Sequence, residues 1–304
     1  MNILITGGTG LIGKALVKSL SGEHRLTVVT RDITKAKETL DSLSQNSPVS
    51  FIDSIDAIDD MARFHAIINL AGEPIADKRW TTSQKKRICN SRWDTTAQLV
   101  AKINSASSPP RVFLSGSAIG VYGDKGSQAV TEETPPHSEF THELCAKWEA
   151  IANTVDGHNT RVCTLRTGVV LAKNGGALAK MALPFKLGVG GKLGHGKQFL
   201  SWIHIDDMVK AIRFLLDNDN CRGAFNMTAP EPVTNSHFSH TLAGNLSRPC
   251  LFTVPSIVMK IAMGESSTMI LNGQNVIPAK LTAAGFTFDY PTLNDALSNI
   301  YRTE

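Results

Sequence analysis

The chain has 304 residues, of which 42% are hydrophobic and 19% are charged, and its formal net charge is +4. This length suffices for one large α/β domain or for a main domain with a smaller appendage, and the composition is ordinary for a globular protein. Because the charge is mild and the basic residues are scattered, we expect neither a nucleic-acid partner nor a membrane partner.

The cysteines predict reduced thiols in a cytoplasmic compartment, because none of the five is spaced as a metal site or a Cys-x-x-Cys motif would require. The first residues already have the pattern of a core strand, which leaves no room for a signal peptide. No apolar run approaches the length that spans a bilayer. We therefore expect a soluble, cytoplasmic protein without a metal site.

The first thirteen residues predict a dinucleotide site. An apolar run at 3–5 is typical of a buried parallel strand, and Gly7, Gly10 and Gly13 follow before an apolar helix face. Gly7 is expected to permit a tight turn, Gly10 to let the backbone approach a pyrophosphate, and Gly13 to let the helix pack closely. The pyrophosphate would face the free N–H groups of the helix N-terminus. A glycine-rich turn without a ligand is the alternative.

The end of the second predicted strand, 26–29, favours NADP over NAD. Thr30 and Arg31 stand where a site for NAD carries an acidic residue that binds the ribose 2′-OH. A guanidinium offers a planar fork of donors to a 2′-phosphate. In the alternative interpretation, Arg31 faces solvent and Asp32 reaches back to the ribose.

Further strands and helices alternate along the first two thirds of the chain. Residues 33–48 predict a helix and then a polar, proline-ended loop, and the short strand 51–52 ends at Asp53, which could meet the adenine amino group. The rest of the pattern predicts strands at 66–70, 112–114 and 162–166 and helices at 82–104 and 141–155. This alternation predicts an α/β fold with a doubly wound, mainly parallel sheet.

The remaining segments predict a smaller C-terminal lobe on the substrate side. A glycine-rich crossover occupies 187–196, and a short strand and helix of the main domain follow from Trp202. We assign residues 1–168 and 202–222 to the cofactor-binding domain, and 169–201 and 223–304 to the small lobe. The chain is expected to end in a helix at 293–301.

Several motifs resemble landmarks of the extended short-chain dehydrogenase/reductases. They are TGGTGLIG, NLAG, SGSA followed by VYG, and WIHIDDM, in that order. More narrowly, EPIADKRW, LRTGVVLA, PFKLGVGG and the tail PAKLTAAGFTFDYPTLNDAL resemble the YfcH-like epimerase-family proteins, an atypical group. The resemblance implies a Rossmann-type domain that binds NADP(H) and a small C-terminal lobe. It implies no substrate, because the epimerase label of that group rests on fold analogy.

The resemblance also implies which residues would hold the cofactor. They are Gly7, Thr9, Gly10, Leu11, Ile12 and Gly13 in the glycine loop, Thr30 and Arg31, then Leu70, Ala71 and Gly72, and finally Arg92, Ser115 and Val169. Arg92 falls where ordinary extended members have an asparagine, and a surface arginine is the alternative.

The catalytic signature of the superfamily is incomplete. It uses a tyrosine four residues before a lysine, with a serine that orients the substrate oxygen. Ser117 and Lys147 match, but Glu143 stands at the tyrosine position. Glu143 and Lys147 could instead form an i,i+4 surface pair. Tyr122 is a candidate substitute acid, with a packed loop tyrosine as the alternative.

Two other polar groups admit structural explanations. The resemblance implies that His204, Asp206 and Asp207 join the lobes, with an aspartate that caps the following helix. The second group, Lys186, His195 and Gln198, either faces a polar or anionic substrate or is ordinary loop polarity.

Two functions from different classes follow. The first is an NADP(H)-dependent oxidoreductase or epimerase-like enzyme that acts on a small hydroxyl or carbonyl compound. The second is a non-catalytic NADP(H)-binding sensor or regulator, which the glutamate at the tyrosine position favours. Either could be a monomer or a homodimer.

Overall fold

The computed structural model of the chain describes residues 1–41 and 49–302. The polar loop expected after the second helix, at 42–48, lies outside the described residues. In chain order the strands are β1 (Asn2–Thr6), β2 (Arg25–Val29), β3 (Ser50–Ile52), β4 (Ala66–Asn69), β5 (Val112–Ala118), β6 (Ala129–Val130), β7 (Arg161–Thr167), β8 (Val169–Leu171), β9 (Gly191–Leu193), β10 (Phe199–Leu200), β11 (Trp202–His204), β12 (Gly223–Met227), β13 (Val233–Thr234), β14 (Phe252–Val254) and β15 (Asn275–Val276).

The α-helices are α1 (Leu11–Leu20), α2 (Ile33–Leu40), α3 (Thr82–Asn104), α4 (Phe140–Ala152), α5 (Gly176–Lys186), α6 (Ile205–Asp217), α7 (Asn235–Asn245), α8 (Ser256–Met263), α9 (Thr268–Leu271), α10 (Ala279–Ala283) and α11 (Leu293–Arg302). Short 3₁₀ turns lie at Met61–Arg63, Ile119–Tyr122 and Gly264–Ser267. In the ranges described above, no helix has both the length and the apolar character needed to cross a bilayer.

Seven parallel strands form the central sheet, in the order β12-β7-β5-β4-β1-β2-β3. Their apolar residues are buried on both faces of the sheet, as Ile3, Leu4 and Ile5 of β1 show. The strand order reverses direction between β1 and β4, which is where an open sheet of this kind leaves a crevice for a ligand. The predicted doubly wound α/β fold of Rossmann type is confirmed.

The main sheet extends further along the chain than the assigned boundary at Gly223. Strand β12 pairs in parallel with β7, and its Phe225 and Met227 are buried in the main core. Leu281 of α10 and Phe286 belong to the same core. The assignment of all residues after 222 to the small lobe is therefore corrected. A five-residue strand with glycine, alanine and asparagine carries too few β-branched residues to be recognised from sequence.

The small lobe has a core of its own. Strand β8 pairs with β11, β9 with β14, and β10 with β13. Trp202, Phe238 and Leu297 are buried there, and they join β11, α7 and α11. Because β8 and β11 leave and re-enter the main domain, this core lies beside the carboxyl edge of the central sheet.

Helix α6 is held at its N-terminus by a histidine. The His204 Nδ1 accepts a hydrogen bond from the Asp206 N–H at 3.1 Å, so the cap is not the expected aspartate. The Asp207 carboxylate instead accepts from the backbone N–H groups of Asp289 and Tyr290, which ties the C-terminal segment to α6. His204 is 2% exposed, and this burial lowers its pKa although the Asp206 carboxylate opposes the effect.

The C-terminus of α6 is held by a buried guanidinium. Arg161 Nη1 donates to the carbonyls of Leu215 and Cys221 at 2.9 and 3.0 Å, and Nη2 donates to the Leu216 carbonyl at 3.0 Å. The carbonyls of Leu215 and Leu216 are among the groups that a helix end leaves without intrahelical partners. Arg161 thus fixes α6 against β7.

We expect Arg161→Met to lower the free energy of unfolding by about 3 kcal/mol, because it leaves buried carbonyls without donors. Urea-induced unfolding followed by circular dichroism measures the loss. The control is Arg111→Met, at the exposed start of the neighbouring strand, where we expect a change below about 0.5 kcal/mol. Equal effects of the two substitutions would contradict the role of Arg161.

We expect the chain to lose stability as the pH falls from about 7.5 to about 5.5, and His204→Asn to reduce that loss. The pKa of His204 is lowered on folding, so the unfolded chain binds the proton first and acid favours unfolding. Asparagine retains capping capacity without titrating. Urea titrations at both pH values measure the slope, with exposed His195→Asn as the control; an unchanged slope in His204→Asn would contradict the prediction.

Candidate functional site

The turn between β1 and α1 is pressed against the end of β4. Gly7 has a φ of +69°, and a Cβ there would lie 2.4 Å from the Leu70 carbonyl oxygen. A Cβ on Gly13 would lie 2.2 Å from the Gly7 carbonyl oxygen. Only glycine fits at these two positions, since real Cβ atoms do not approach so closely. Leu70 and Ala71 therefore form the wall behind the glycine loop.

The N-terminus of α1 is open. Gly10 occupies the N-cap position and offers no side-chain cap, and both Thr9 and Gly10 are exposed. Leu11 and Ile12 are half-buried, and Leu11 packs against Gly176 at the start of α5. Free N–H groups at such a helix end attract phosphate oxygens. The residues of the loop thus fit the pyrophosphate of a dinucleotide.

The end of β2 leaves Arg31 available and Asp32 engaged. The Asp32 carboxylate caps α2 by accepting from the Lys35 N–H at 3.0 Å. The Thr30 hydroxyl accepts from the Asp32 N–H and donates to its carbonyl. Arg31 is exposed and makes no hydrogen bond or ion pair with the described part of the chain. Asp53, at the end of β3, is also exposed.

The end of β4 brings Gly72 against Arg92 of α3. A Cβ on Gly72 would lie 2.9 Å from the Arg92 Cζ, so the glycine makes room for the guanidinium. The Arg92 Nη1 donates to the carbonyls of Glu73 and Ile88, both at 3.0 Å. Its Cζ lies 5.3 Å from the centre of the Trp148 ring. Burial lowers the pKa of Arg92, although arginine stays charged at neutral pH.

Ser115 and Ser117 of β5 differ in their surroundings. Ser115 is fully buried within the sheet, between β4 and β7. The Ser117 hydroxyl donates to the Glu149 carboxylate at 2.6 Å, and Glu149 also pairs with the Arg166 guanidinium through two bonds of 2.9 Å. Burial disfavours the charge on Arg166, but the bonds to Glu149 outweigh it and raise the pKa of the guanidinium.

Tyr122 belongs to the same network. The residue is 1% exposed, and its hydroxyl donates to the Asn226 side-chain oxygen at 2.6 Å and accepts from Arg166 Nη1 at 2.8 Å. Burial raises the pKa of Tyr122, against the effect of Arg166. To protonate a substrate, this hydroxyl would first have to give up its bond to Asn226.

Helix α4 turns Lys147 away from the sheet edge. Its buried face carries Thr141, Leu144, Cys145, Trp148 and Glu149, whereas Glu143 and Lys147 are exposed. The Lys147 Nζ lies 4.0 Å from the centre of the Trp93 ring on the outer side. Thr141 and Cys145 form one of the i,i+4 pairs on this inward face. Burial raises the pKa of the Cys145 thiol to about 12, so it stays protonated.

The polar residues of the crossover are spread apart. Lys186 lies 6.0 Å from the centre of the Tyr301 ring, and the exposed His195 accepts a bond from the Lys197 N–H. Gln198 is buried and donates to the carbonyls of Leu193 and Ile270. Val169, half-buried, begins β8 next to Trp202 of β11. Lys186, His195 and Gln198 thus each have a different partner.

Side-chain contacts also join the start of α3 to the segment around α8. Arg79 donates to the Ile261 and Ala262 carbonyls at the end of α8, and Lys85 Nζ lies 2.5 Å from the Glu265 carboxylate. The small lobe is thus fastened to the start of α3, which also carries Arg92.

The sequence interpretation missed Glu149 and Arg166, the buried pair behind Ser117. A signal was present, because Glu149 follows Cys145 and Thr141 at helical spacing and Arg166 ends the apolar run of β7. It was ambiguous because helical residues four apart share a face in several registers.

Comparison with known proteins shows to which family the chain is related. The profile of the NAD dependent epimerase/dehydratase family matches residues 3–227, and that of the domain of unknown function DUF1731 matches 254–300. An epimerase family protein of Staphylococcus haemolyticus is 39% identical over 299 residues, which cover 98% of each chain. The mouse epimerase family protein SDR39U1 is 34% identical over 305 residues, which cover 99% of each chain.

A solved structure agrees with both the fold and the sequence relationship. The crystal structure of human epimerase family protein SDR39U1 (isoform 2) with NADPH has a TM-score of 0.89 and 33% identity, and 100% of each chain is covered. The expected resemblance to atypical extended short-chain dehydrogenase/reductases is confirmed. The chain belongs to the NAD dependent epimerase/dehydratase family.

Proposed function

We propose that this chain binds NADP(H) in the glycine loop and acts on a small hydroxyl or carbonyl compound as an oxidoreductase or epimerase-like protein. The observation that carries the proposal is the open N-terminus of α1, together with Arg31 after β2, which has no partner among residues 1–41 and 49–302. The first provides donors for a pyrophosphate, and the second provides a fork for a 2′-phosphate. NADP(H), when bound, supplies hydride transfer.

The choice of NADP(H) over NAD(H) rests on Asp32. A carboxylate free at this strand end would bind the ribose 2′-OH and repel a 2′-phosphate. Here the carboxylate caps α2 instead, so it does not point its charge into the site. The NADPH in the crystal structure of the human relative supports the same choice.

Among the expected catalytic residues, Ser117 retains a role that its geometry allows. Its proton is donated to Glu149, so its oxygen can accept a hydrogen bond from a substrate hydroxyl. Glu149 thus orients Ser117 as an acceptor. Tyr122, the candidate substitute acid, donates its proton to Asn226 and accepts from Arg166 in this arrangement. Lys147 would have to leave Trp93 to reach a ribose.

The inward face of α4 favours the sensor as a second candidate function. Thr141 and Cys145 stand at the spacing of the usual tyrosine and lysine, and neither is charged at neutral pH. Such a face supplies no phenolate and no ammonium for proton transfer. A protein that binds NADP(H) and reports the redox state to a partner requires neither.

We expect Arg31→Ala to weaken NADPH binding about 10- to 100-fold and NADH binding less than about twofold, because only NADPH carries the 2′-phosphate. Fluorescence titration of both dinucleotides measures the two dissociation constants. Arg25→Ala, at the opposite end of the same strand, is the control and should change neither. Equal losses for NADPH and NADH would remove Arg31 from the site.

The enzyme and the sensor are separated by NADPH oxidation and NADP⁺ reduction measured against fractionated small-molecule extract. We expect Ser117→Ala to reduce any turnover about 100-fold, whereas Lys147→Ala should leave turnover and NADPH affinity within about twofold. A strong loss of turnover or of NADPH affinity in Lys147→Ala would instead indicate that Lys147 contacts the ribose of the cofactor. Tight NADPH binding with no turnover in any fraction favours the sensor.

A further inference from the structure

Helix α3 carries two arginines, Arg87 and Arg92. The Arg92 guanidinium lies against Gly72, at the carboxyl edge of the central sheet. Its Nη2 and Nε lie 3.0 and 3.2 Å from the position that a Cβ on Gly72 would take. Gly72 itself is exposed and directly follows Leu70 and Ala71, the wall behind the glycine loop. The guanidinium therefore lies against the exposed Gly72 just after β4, and its Nε and Nη2 make no hydrogen bond with the described part of the chain.

The other edge of the same guanidinium is fixed. Nη1 donates to two main-chain carbonyls, one from α3 and one from the segment after β4, and the group lies beside the face of the Trp148 ring. Trp148 is itself held by its bond to the Thr96 hydroxyl at 2.8 Å. The orientation of the planar fork is thus set before any ligand arrives, which reduces the entropy lost on binding.

The charge of Arg92 has no carboxylate partner in the described part of the chain. The hydrogen bonds that it makes there all leave from Nη1, and none of the ion pairs includes it. The ionisable groups that face it are the Cys89 and Cys145 thiols and, from the loop, Glu73. Burial raises the pKa of both thiols, so they are neutral. A partly buried cation without a counter-ion is costly unless a ligand supplies the anion.

We infer that the Nε–Nη2 edge of Arg92 is an oxyanion site that binds two oxygens of a carboxylate or a phosphate group presented in the cleft beside β4. An arginine fork matches both groups bidentately. One source of that chemistry is an acidic substrate, and the other is the pyrophosphate of the cofactor. The inference rests on the proposed function only for the cofactor arm, because an acidic ligand can be tested without NADPH.

The test compares wild type with Arg92→Gln by calorimetric titration. The probes are NADPH, adenosine 2′,5′-bisphosphate, which lacks the pyrophosphate, and millimolar oxalate and inorganic phosphate, with and without saturating NADPH. If the cofactor is the source, Arg92→Gln weakens NADPH at least about tenfold and leaves the bisphosphate unchanged. If the substrate is the source, NADPH affinity is unchanged and oxalate or phosphate binding is lost. The inference is overturned if Arg92→Gln binds every probe as the wild type does. It is also overturned if the wild type binds neither oxalate nor phosphate and Arg92→Gln leaves NADPH affinity unchanged.

A second variant tests the site with the arginine in place. Gly72→Ala places a Cβ 2.9 Å from the Arg92 Cζ, and no positive φ opposes alanine there, so the chain should fold while the fork is displaced. We expect the same loss as for Arg92→Gln, and no further loss in the double variant. Additive losses would mean that Gly72 acts without Arg92, which overturns the geometry.

The matched control is Arg87→Gln on the same helix. The Arg87 fork is already occupied, because Nε and Nη2 both donate to the Gln84 side-chain oxygen at 3.1 and 2.7 Å. The Arg87→Gln variant should therefore bind every probe with the affinity of the wild type. If the wild type fails to bind NADPH but binds oxalate or phosphate through Arg92, the proposed function falls and the oxyanion site stands.

Discussion

The structure depends first on how closely the backbone of the glycine loop can approach its neighbours. The carbonyl of Gly7 occupies the space of a Gly13 side chain, and the carbonyl of Leu70 occupies that of a Gly7 side chain. This contact fixes where α1 starts relative to β1 and β4, the two strands at which the sheet order reverses. The open helix end therefore lies at the crevice. A methyl group at Gly7 would push the loop from Leu70, and one at Gly13 would push α1 from the loop.

A second constraint is the packing of α4 on β5. The Trp148 ring lies where a Gly116 side chain would be, with 2.8 Å between its Cη2 and that Cβ position. The Glu149–Arg166 pair fixes the same helix to β7. These contacts set the rotation of α4, and the rotation decides which of its side chains face the cleft. An uncharged threonine and thiol face inward, while Lys147 stays outside.

Among the residues the structure describes, the ends of β1, β2 and β4 consequently offer more hydrogen-bond donors than free acids and bases. The first turn of α1, Arg31 and Arg92 all offer N–H groups, whereas Asp32, Glu149 and Tyr122 are engaged with other parts of the protein. Such a site suits the recognition of phosphate and carboxylate groups more directly than it suits proton transfer. The excess of donors over free acids and bases is consistent with binding of the cofactor and of an oxyanion at Arg92, and it leaves both the enzyme and the sensor as candidate functions.

The sequence by itself determined the alternation of strands and helices, the span 82–104 of α3 and the glycine turn, because local periodicity and glycine spacing specify these features. It also indicated the epimerase-family relationship. The tertiary structure decided that Asp32 caps α2, that His204 caps α6, that β12 completes the main sheet, and that Lys147 faces outward. Each of these outcomes depends on which of several groups forms a given hydrogen bond, on which strands pair, or on the rotation of a helix about its axis. The pairing of β12 and the rotation of α4 rest on contacts between distant segments, whereas the two caps rest on which of several local partners each side chain takes; a linear pattern encodes neither choice.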